Sequence, residues 1–267
     1  MSDSPNTLPP RPEAAVPDTS VPSSARMWNY WAGGQHYHRV DRETADAAAS
    51  LYPEIPRIAR EARRFLGRAV TYLAEEAGIR QFLDLGCGLP ADADVHEIAR
   101  RVAPEPRVVY VDNDPLVLAL SGSRTEGGCR YVDSDVRDTA YILGRAAEVL
   151  DLSRPVAVLM LGILGNIADD AEAASIVERL TSGLVPGSHL VVNDGIDTPE
   201  RVAAAARHND RHSGSAYHNR SPQQIASFFD GLELVEPGLV STPRWRPEGE
   251  AGPVEEIGSV CGVAVKR

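Results

Sequence analysis

The sequence predicts an α/β fold: a mostly parallel, seven-stranded sheet that ends in an antiparallel hairpin and follows a helical N-terminal extension. Three observations carry this. From Phe82 to Val192, short apolar runs alternate with stretches at helical spacing, the pattern of right-handed crossovers between parallel strands. The first run breaks into a glycine turn, Gly86-Cys87-Gly88. The last two runs follow one another with no helix between them, which calls for antiparallel pairing at a sheet edge.

Residues 1–22 are rich in Pro and Ser with few large apolar residues, so they cannot offset their ordering entropy and read as a disordered tail. Residues 23–78 form a helical cap. Trp28, Tyr30, Trp31 and Tyr37 crowd around Gly33-Gly34 in a chain that is only 6% aromatic, which makes this cluster a feature to explain. Helices are expected at about 40–51 and 54–77; in the second, Ile58, Phe65, Leu66, Ala69, Val70 and Leu73 recur on one face and Gly78 supplies the stop.

The core, residues 79–267, begins with the strand Phe82–Leu85. Strands Val108–Val111, Tyr131-Val132, Val156–Leu161 and His189–Val192 follow, separated by helices at about 94–103, 115–121, 138–150 and 170–184. An insertion of about 195–222 holds a helix starting at Thr198-Pro199 and a polar loop at about 209–220. Ser221-Pro222-Gln223-Gln224 opens a further helix with a capping box, and Gly231 ends it. Leu232–Val235 and Val260–Val265 are the sixth and seventh strands.

With 267 residues, 43% of them hydrophobic and 24% charged, the chain is long enough for one well-buried domain with additions. Its formal net charge of −11 argues against a nucleic-acid binder and against docking on anionic membrane. Cys87, Cys129 and Cys261 fit neither a zinc spacing nor a disulfide framework, and no basic-then-apolar leader or bilayer-length apolar run is present, so a cytoplasmic location is expected.

A strand that feeds a glycine turn and then a helix is a nucleotide-binding corner, because glycine admits positive φ and lets a ligand lie against the main chain. Two cofactors compete for it. Gly86, Gly88 and Ala91 formally match the dinucleotide pattern, with Asp112 at the end of the next strand, so NAD and an oxidoreductase are one reading. Three features favour S-adenosyl-L-methionine. Asp84 precedes the glycines, where a carboxylate can meet the methionine end. Asp92 and Asp94 open the next helix, where they would repel a pyrophosphate. The late hairpin replaces a second mononucleotide unit. Asp112 and Asn113 then stand where the ribose hydroxyls would be held, and Asp135 with Val136 where adenine would be. Gly162, at the end of the fourth strand, completes the candidate cofactor contacts together with Cys87.

With these residues in view, the chain resembles the actinobacterial S-adenosylmethionine-dependent methyltransferases of the Rossmann-like class I, in a subgroup long catalogued as a domain of unknown function. The resemblance runs from about Arg26 to the C-terminus. It rests on Ala25–Gly34, the turn Phe82–Pro90, Val95-His96-Glu97, Val109–Pro115 and Phe228–Val240. It implies the class I methyltransferase fold and transfer of a methyl group to a small-molecule acceptor. The chain departs from the subgroup at three places: Gly165-Asn166 stands where His-Phe is usual, Gln35 where lysine is common, and Ala62 where asparagine is expected.

Methyl transfer from a sulfonium needs alignment first, and a base only where the acceptor must lose a proton. His36, Tyr37 and His208 are candidates for that base. Trp28, Tyr30 and Trp31 are candidates for contact with an aromatic acceptor, hinged at Gly33-Gly34; the bland alternative is a helix packed on the core. No metal cluster is expected. A non-catalytic S-adenosylmethionine-binding or regulatory protein is the alternative from another functional class.

Overall fold

The computed structural model describes residues 18–91, 93–121, 128–199, 217–247, 249 and 254–267. Three helices come first: α1 (Ser24–Trp31), α2 (Arg39–Leu51) and α3 (Ile55–Glu75). An alternating unit follows, comprising β1 (Gln81–Leu85), α4 (Val95–Arg100), β2 (Arg107–Asp112), α5 (Pro115–Ser121), β3 (Cys129–Asp133), α6 (Thr139–Ala146), β4 (Ala157–Leu161), α7 (Asp170–Thr181) and β5 (His189–Gly195). The chain closes with α8 (Pro222–Ser227), β6 (Glu233–Leu234), β7 (Val240–Ser241) and β8 (Ser259–Val265). The helix expected from Thr198-Pro199 and most of the polar loop fall outside the described residues.

The strands form one sheet in the order β3-β2-β1-β4-β5-β8-β6, with β7 also on β8. Strands β1 to β5 pair in parallel, and β8 runs antiparallel to β5. Strand order reverses at β1, between β2 and β4, and a crevice opens there at the carboxyl ends.

The sheet has eight strands where the sequence suggested seven. The expected sixth strand is present as β6, and the loop expected after it contributes an additional strand, β7: Glu233–Leu234 and Val240–Ser241 pair with successive parts of β8. Pro237 has no N–H for the ladder, and Gly238 turns at positive φ, so the chain leaves the edge and returns. The hairpin survives, with β8 seated inside it between β5 and β6.

Alternation along β1 explains the two faces of the core. Leu83 and Leu85 join the cluster that includes Ile142 of α6 and Ile176 and Leu180 of α7. Phe82 joins Phe65, Leu66, Val70 and Leu73 of α3 and Ile98 of α4. Asp84 shares the face of Phe82, so it emerges on the α3 and α4 side at the end of the strand. The N-terminal helices are built onto the same side. Trp31 packs against Ala45 of α2 and Ala59 of α3, and its Nε1–H donates to the Ala45 carbonyl at 3.2 Å. The capping box at Ser221 is present, with the Gln224 amide donating to the Ser221 hydroxyl. Among the described residues, no helix is long and apolar enough to cross a membrane.

Candidate active site

A cavity of about 900 Å³ lies over the carboxyl ends of β1 to β4, roofed by α1 and bounded on one side by α3. Asp84, Gly86, Cys87, Gly88, Asp112, Asn113, Asp135, Val136 and Gly162 all line it. Of the aromatic candidates, Trp28 does.

The glycine turn is tied to the next strand. The amides of Gly86 and Cys87 donate to the Val111 carbonyl at 2.8 and 3.2 Å. The amide of Gly88 donates to Asp112 Oδ2 at 2.8 Å, while Asp114 N–H donates to Asp112 Oδ1 at 3.0 Å. Gly86 and Gly88 both have positive φ, 66° and 68°. At Gly86 a Cβ would also meet Ile163 Cδ1 at 2.6 Å, so the backbone passes close beneath the β4 loop.

Burial dominates the electrostatics. Asp84 is 7% exposed, and its carboxyl is pushed up to about 7. Loss of water is the main cause; the Arg63 guanidinium opposes it, and the Asp94 and Asp112 carboxylates reinforce it. The Asp84 carboxylate has no hydrogen-bond donor among the described residues. Burial also raises Asp112, against the amides of Asp114 and Gly88, and raises the Cys87 thiol well above its ordinary range. Asp135, at the third strand end, pairs with Arg137 at 3.3 Å.

The candidate acceptor and base residues separate. Trp28 lies beside the β4 end: a Cβ on Gly162 would stand 3.8 Å from Trp28 Cζ2. Trp31 and Tyr30 do not line the cavity. Trp31 is 8% exposed within the helical packing, and Tyr30 donates to Asp46 Oδ1 at 2.8 Å and meets the Tyr37 ring edge-on. The placement of Trp31 is the packing alternative, because one helix turn carries Trp28 to the cavity and Trp31 to the α2–α3 contact. His36 is exposed, its N–H donating to Asn29 Oδ1 at 2.9 Å, and neither it nor Tyr37 lines the cavity. His208 and Asp92 lie outside the described residues.

Several lining residues were not singled out from sequence. Arg63 of α3 pairs with Asp94 at 3.3 Å. Its signal was available: it stands four residues after Ala59 and three before Leu66, a charge in the buried stripe of an amphipathic helix. Arg26 of α1 is 4% exposed, with Asp41 at 3.5 Å and Asp114 at 3.9 Å, and Ser23 donates to Asp114. These contacts clasp the α1 roof to the end of β2. They join residues far apart in the chain and leave no local pattern.

The residues fit S-adenosyl-L-methionine. The open acceptor of Asp84 suits an ammonium group, Asp112 retains lone pairs for hydroxyls, and Gly88 leaves clear space for a ligand on the main chain. No phosphate-type site is built there, since carboxylates occupy the turn's surroundings.

This sheet order, turn and carboxylate-lined crevice define a class I, Rossmann-like methyltransferase. The chain belongs to the S-adenosyl methyltransferase family, whose sequence profile matches residues 11–267, and S-adenosyl-L-methionine is its cofactor. It is similar to a DUF574 family protein from Streptomyces avermitilis, with 40% identity over 94% of this chain and 99% of that one and a TM-score of 0.88. It is also similar to a provisionally assigned methyltransferase from Thermobifida fusca, with 36% identity, 94% and 97% coverage and a TM-score of 0.87. A 1,6-didemethyltoxoflavin-N1-methyltransferase from Burkholderia thailandensis shares the fold alone: 16% identity, 77% and 78% coverage, TM-score 0.50. Among curated proteins none matches significantly.

Proposed function

We propose that this methyltransferase acts in the cytoplasm on a small acceptor carrying an aromatic ring. The observation that carries the reading is Trp28, which brings an indole into the cavity beside Gly162, at the strand end next to the glycine turn. The cofactor, when bound, supplies an electrophilic methyl group on a sulfonium centre. In this reading Asp84 receives the ammonium end of the cofactor, Asp112 and Asn113 the ribose, and Asp135 and Val136 the adenine. Gly86, Cys87, Gly88 and Gly162 give it room to lie on the backbone. That arrangement covers the ends of β1, β2 and β3 and directs the acceptor to the ends of β4 and β5. Arg63 restrains the Asp84 carboxyl from an even higher pKa and so keeps it ionisable near neutral pH. The α1 roof excludes water and aligns acceptor with cofactor. His36 and Tyr37, outside the lining, take no part in this proposal.

The test is calorimetric titration with S-adenosylmethionine, followed by mass spectrometry of small-molecule extracts incubated with protein and a labelled methyl donor. Labelled aromatic products, lost in Trp28→Leu with cofactor affinity retained, support the reading. Labelling of aliphatic products only, unaffected by Trp28→Leu, would overturn it.

A further inference from the structure

We propose that the methyl acceptor is an amine, held by two asparagine carbonyl oxygens beside Trp28; this rests on the methyltransferase reading of the same cavity. Asn166 and Asn193 both line it, at the ends of β4 and β5. Their side chains are oriented by bonds that leave no choice. Asn166 Nδ2 donates to the carbonyls of Gly162 and Ile163, both at 3.3 Å. Asn193 Nδ2 donates to the Val260 carbonyl at 3.0 Å and to Thr242 Oγ1 at 2.8 Å. A carbonyl can only accept, so each amide nitrogen is fixed where it stands and each Oδ1 is the remaining polar atom. Neither Oδ1 has a donor among the described residues. The backbones that carry them are joined at the strand ends, where the Gly162 amide donates to the Asn193 backbone carbonyl at 2.7 Å. The β4 and β5 end of the cavity therefore carries two oriented oxygens, with Asn166 and Trp28 both approaching Gly162.

Charge points the same way. The lining has five aspartates and three arginines. Each arginine is already engaged by a carboxylate outside the lining: Arg26 by Asp41 at 3.5 Å, Arg63 by Asp94 at 3.3 Å, Arg137 by Glu172 at 3.1 Å. Arg137 and Arg26 also reach the lining acids Asp135 and Asp114, at 3.3 and 3.9 Å, and the lining still holds two more carboxylates than guanidinium groups. Such a cavity repels a carboxylate or phosphate and favours a neutral or cationic guest. A group with two N–H donors satisfies both asparagine oxygens, whereas a hydroxyl satisfies one. The indole adds attraction for a cationic nitrogen. In its neutral form the amine gives its lone pair to the new N–C bond as the S–C bond breaks toward sulfur. The resulting ammonium sheds one proton to solvent.

Tyramine, para-cresol and phenylacetate, titrated calorimetrically into protein saturated with S-adenosylhomocysteine, test this without turnover. Tyramine is expected to bind about tenfold or more tighter than para-cresol, with phenylacetate weakest. With S-adenosylmethionine, tandem mass spectrometry of tyramine should place the methyl on nitrogen. Asn166→Leu should weaken tyramine by about tenfold with unchanged S-adenosylhomocysteine affinity, which also certifies the variant's fold. Methylation at the phenolic oxygen overturns the proposal. So does preference for para-cresol or phenylacetate, absence of tyramine binding to the homocysteine-loaded protein, or an Asn166→Leu protein that binds tyramine normally. Failure to bind S-adenosylhomocysteine at all would instead sink the underlying cofactor reading.

Discussion

Gly88 and Asp112 are joined by a 2.8 Å bond from the backbone amide of one to the carboxylate of the other, across the ends of β1 and β2. The same carboxylate accepts the Asp114 amide, so one side chain shapes the glycine turn and presents the acceptors proposed for ribose. Asp112→Ala removes both functions. Cofactor affinity is expected to fall by about 30-fold or more, roughly 2 kcal/mol, from lost charge-assisted bonds. Asp112→Asn keeps one acceptor oxygen and should lose less. Calorimetry on both variants checks this; an Asp112→Ala protein with wild-type affinity would remove Asp112 from the cofactor site.

Asp84 predicts a pH dependence of defined sign. Its carboxyl titrates near 3.8 when unfolded and at about 7 when folded. Between those values the folded state holds a proton that the unfolded state has lost. Its contribution to stability is therefore fully present below about pH 3.8 and is lost as pH rises through about 7. Cofactor binding should show the opposite trend, because the ammonium group favours ionised Asp84. Affinity should rise toward pH about 7 and then level, with a proton released on binding at about pH 6. Asp84→Asn should bind more weakly and release no such proton. Calorimetry in buffers of different ionisation enthalpy reads that proton directly, and equal proton release in both proteins would exclude Asp84 as its source.

Gly86 and Gly88 share a left-handed backbone but differ in what surrounds them. Alanine at Gly86 would carry the conformational cost and also drive its methyl into Ile163, 2.6 Å away. Alanine at Gly88 meets nothing within 4 Å. The expected losses of stability are roughly 3 kcal/mol and roughly 1 kcal/mol. Gly88→Ala should nonetheless weaken cofactor binding more than it weakens the fold, because its methyl enters the ligand's space. Thermal unfolding paired with calorimetry separates the two effects; equal destabilisation would show that Ile163 yields freely.

Much of this was legible in the sequence where one local signal sufficed. Apolar runs ending in Asp-x-Gly or Val-Asp placed the strands and their acids, and the helix at 115–121 and the Ser221 cap lie where the pattern put them. The extra strand Val240–Ser241 was harder, since it makes only a two-residue ladder with β8 inside what reads as a loop. Trp28 and Trp31 show a deeper limit. They sit one helical turn apart and both pack on the cluster of Ala45 and Ala59; tertiary packing buries Trp31 there and leaves Trp28 at the cavity. Asn193 gains its orientation from Thr242 and Val260, the latter 67 residues distant, so no spacing rule could expose it, whereas Asn166 is oriented locally by the carbonyls of Gly162 and Ile163.

Arg220 is another residue without a local signature, and it holds the loop after β4, the wall proposed to face the acceptor. It is 1% exposed; its guanidinium donates to the carbonyls of Leu164 and Ile167 at 2.8 and 2.6 Å and to Asp170 Oδ1 at 2.9 Å. The His218 amide bonds the Gly165 carbonyl at 2.6 Å, so the chain returning from the insertion is stitched to the loop after β4. Ile163, Asn166 and Ile167 of that loop line the cavity. Arg220→Met takes the guanidinium donor from the buried Ile167 carbonyl, leaves the Leu164 carbonyl with the Ile167 amide alone, and should cost about 2 kcal/mol or more, lowering Tm by roughly 4–8 °C. Arg220→Lys offers a point charge in place of a fork and should recover only part of this. Since the loop carries the proposed acceptor contacts and the proposed cofactor acids lie on other strands, acceptor KM should rise more than cofactor Kd. Differential scanning calorimetry and steady-state kinetics read the two effects, and a methionine variant within about 1 kcal/mol of the parent protein would show that the loop holds its shape without the guanidinium.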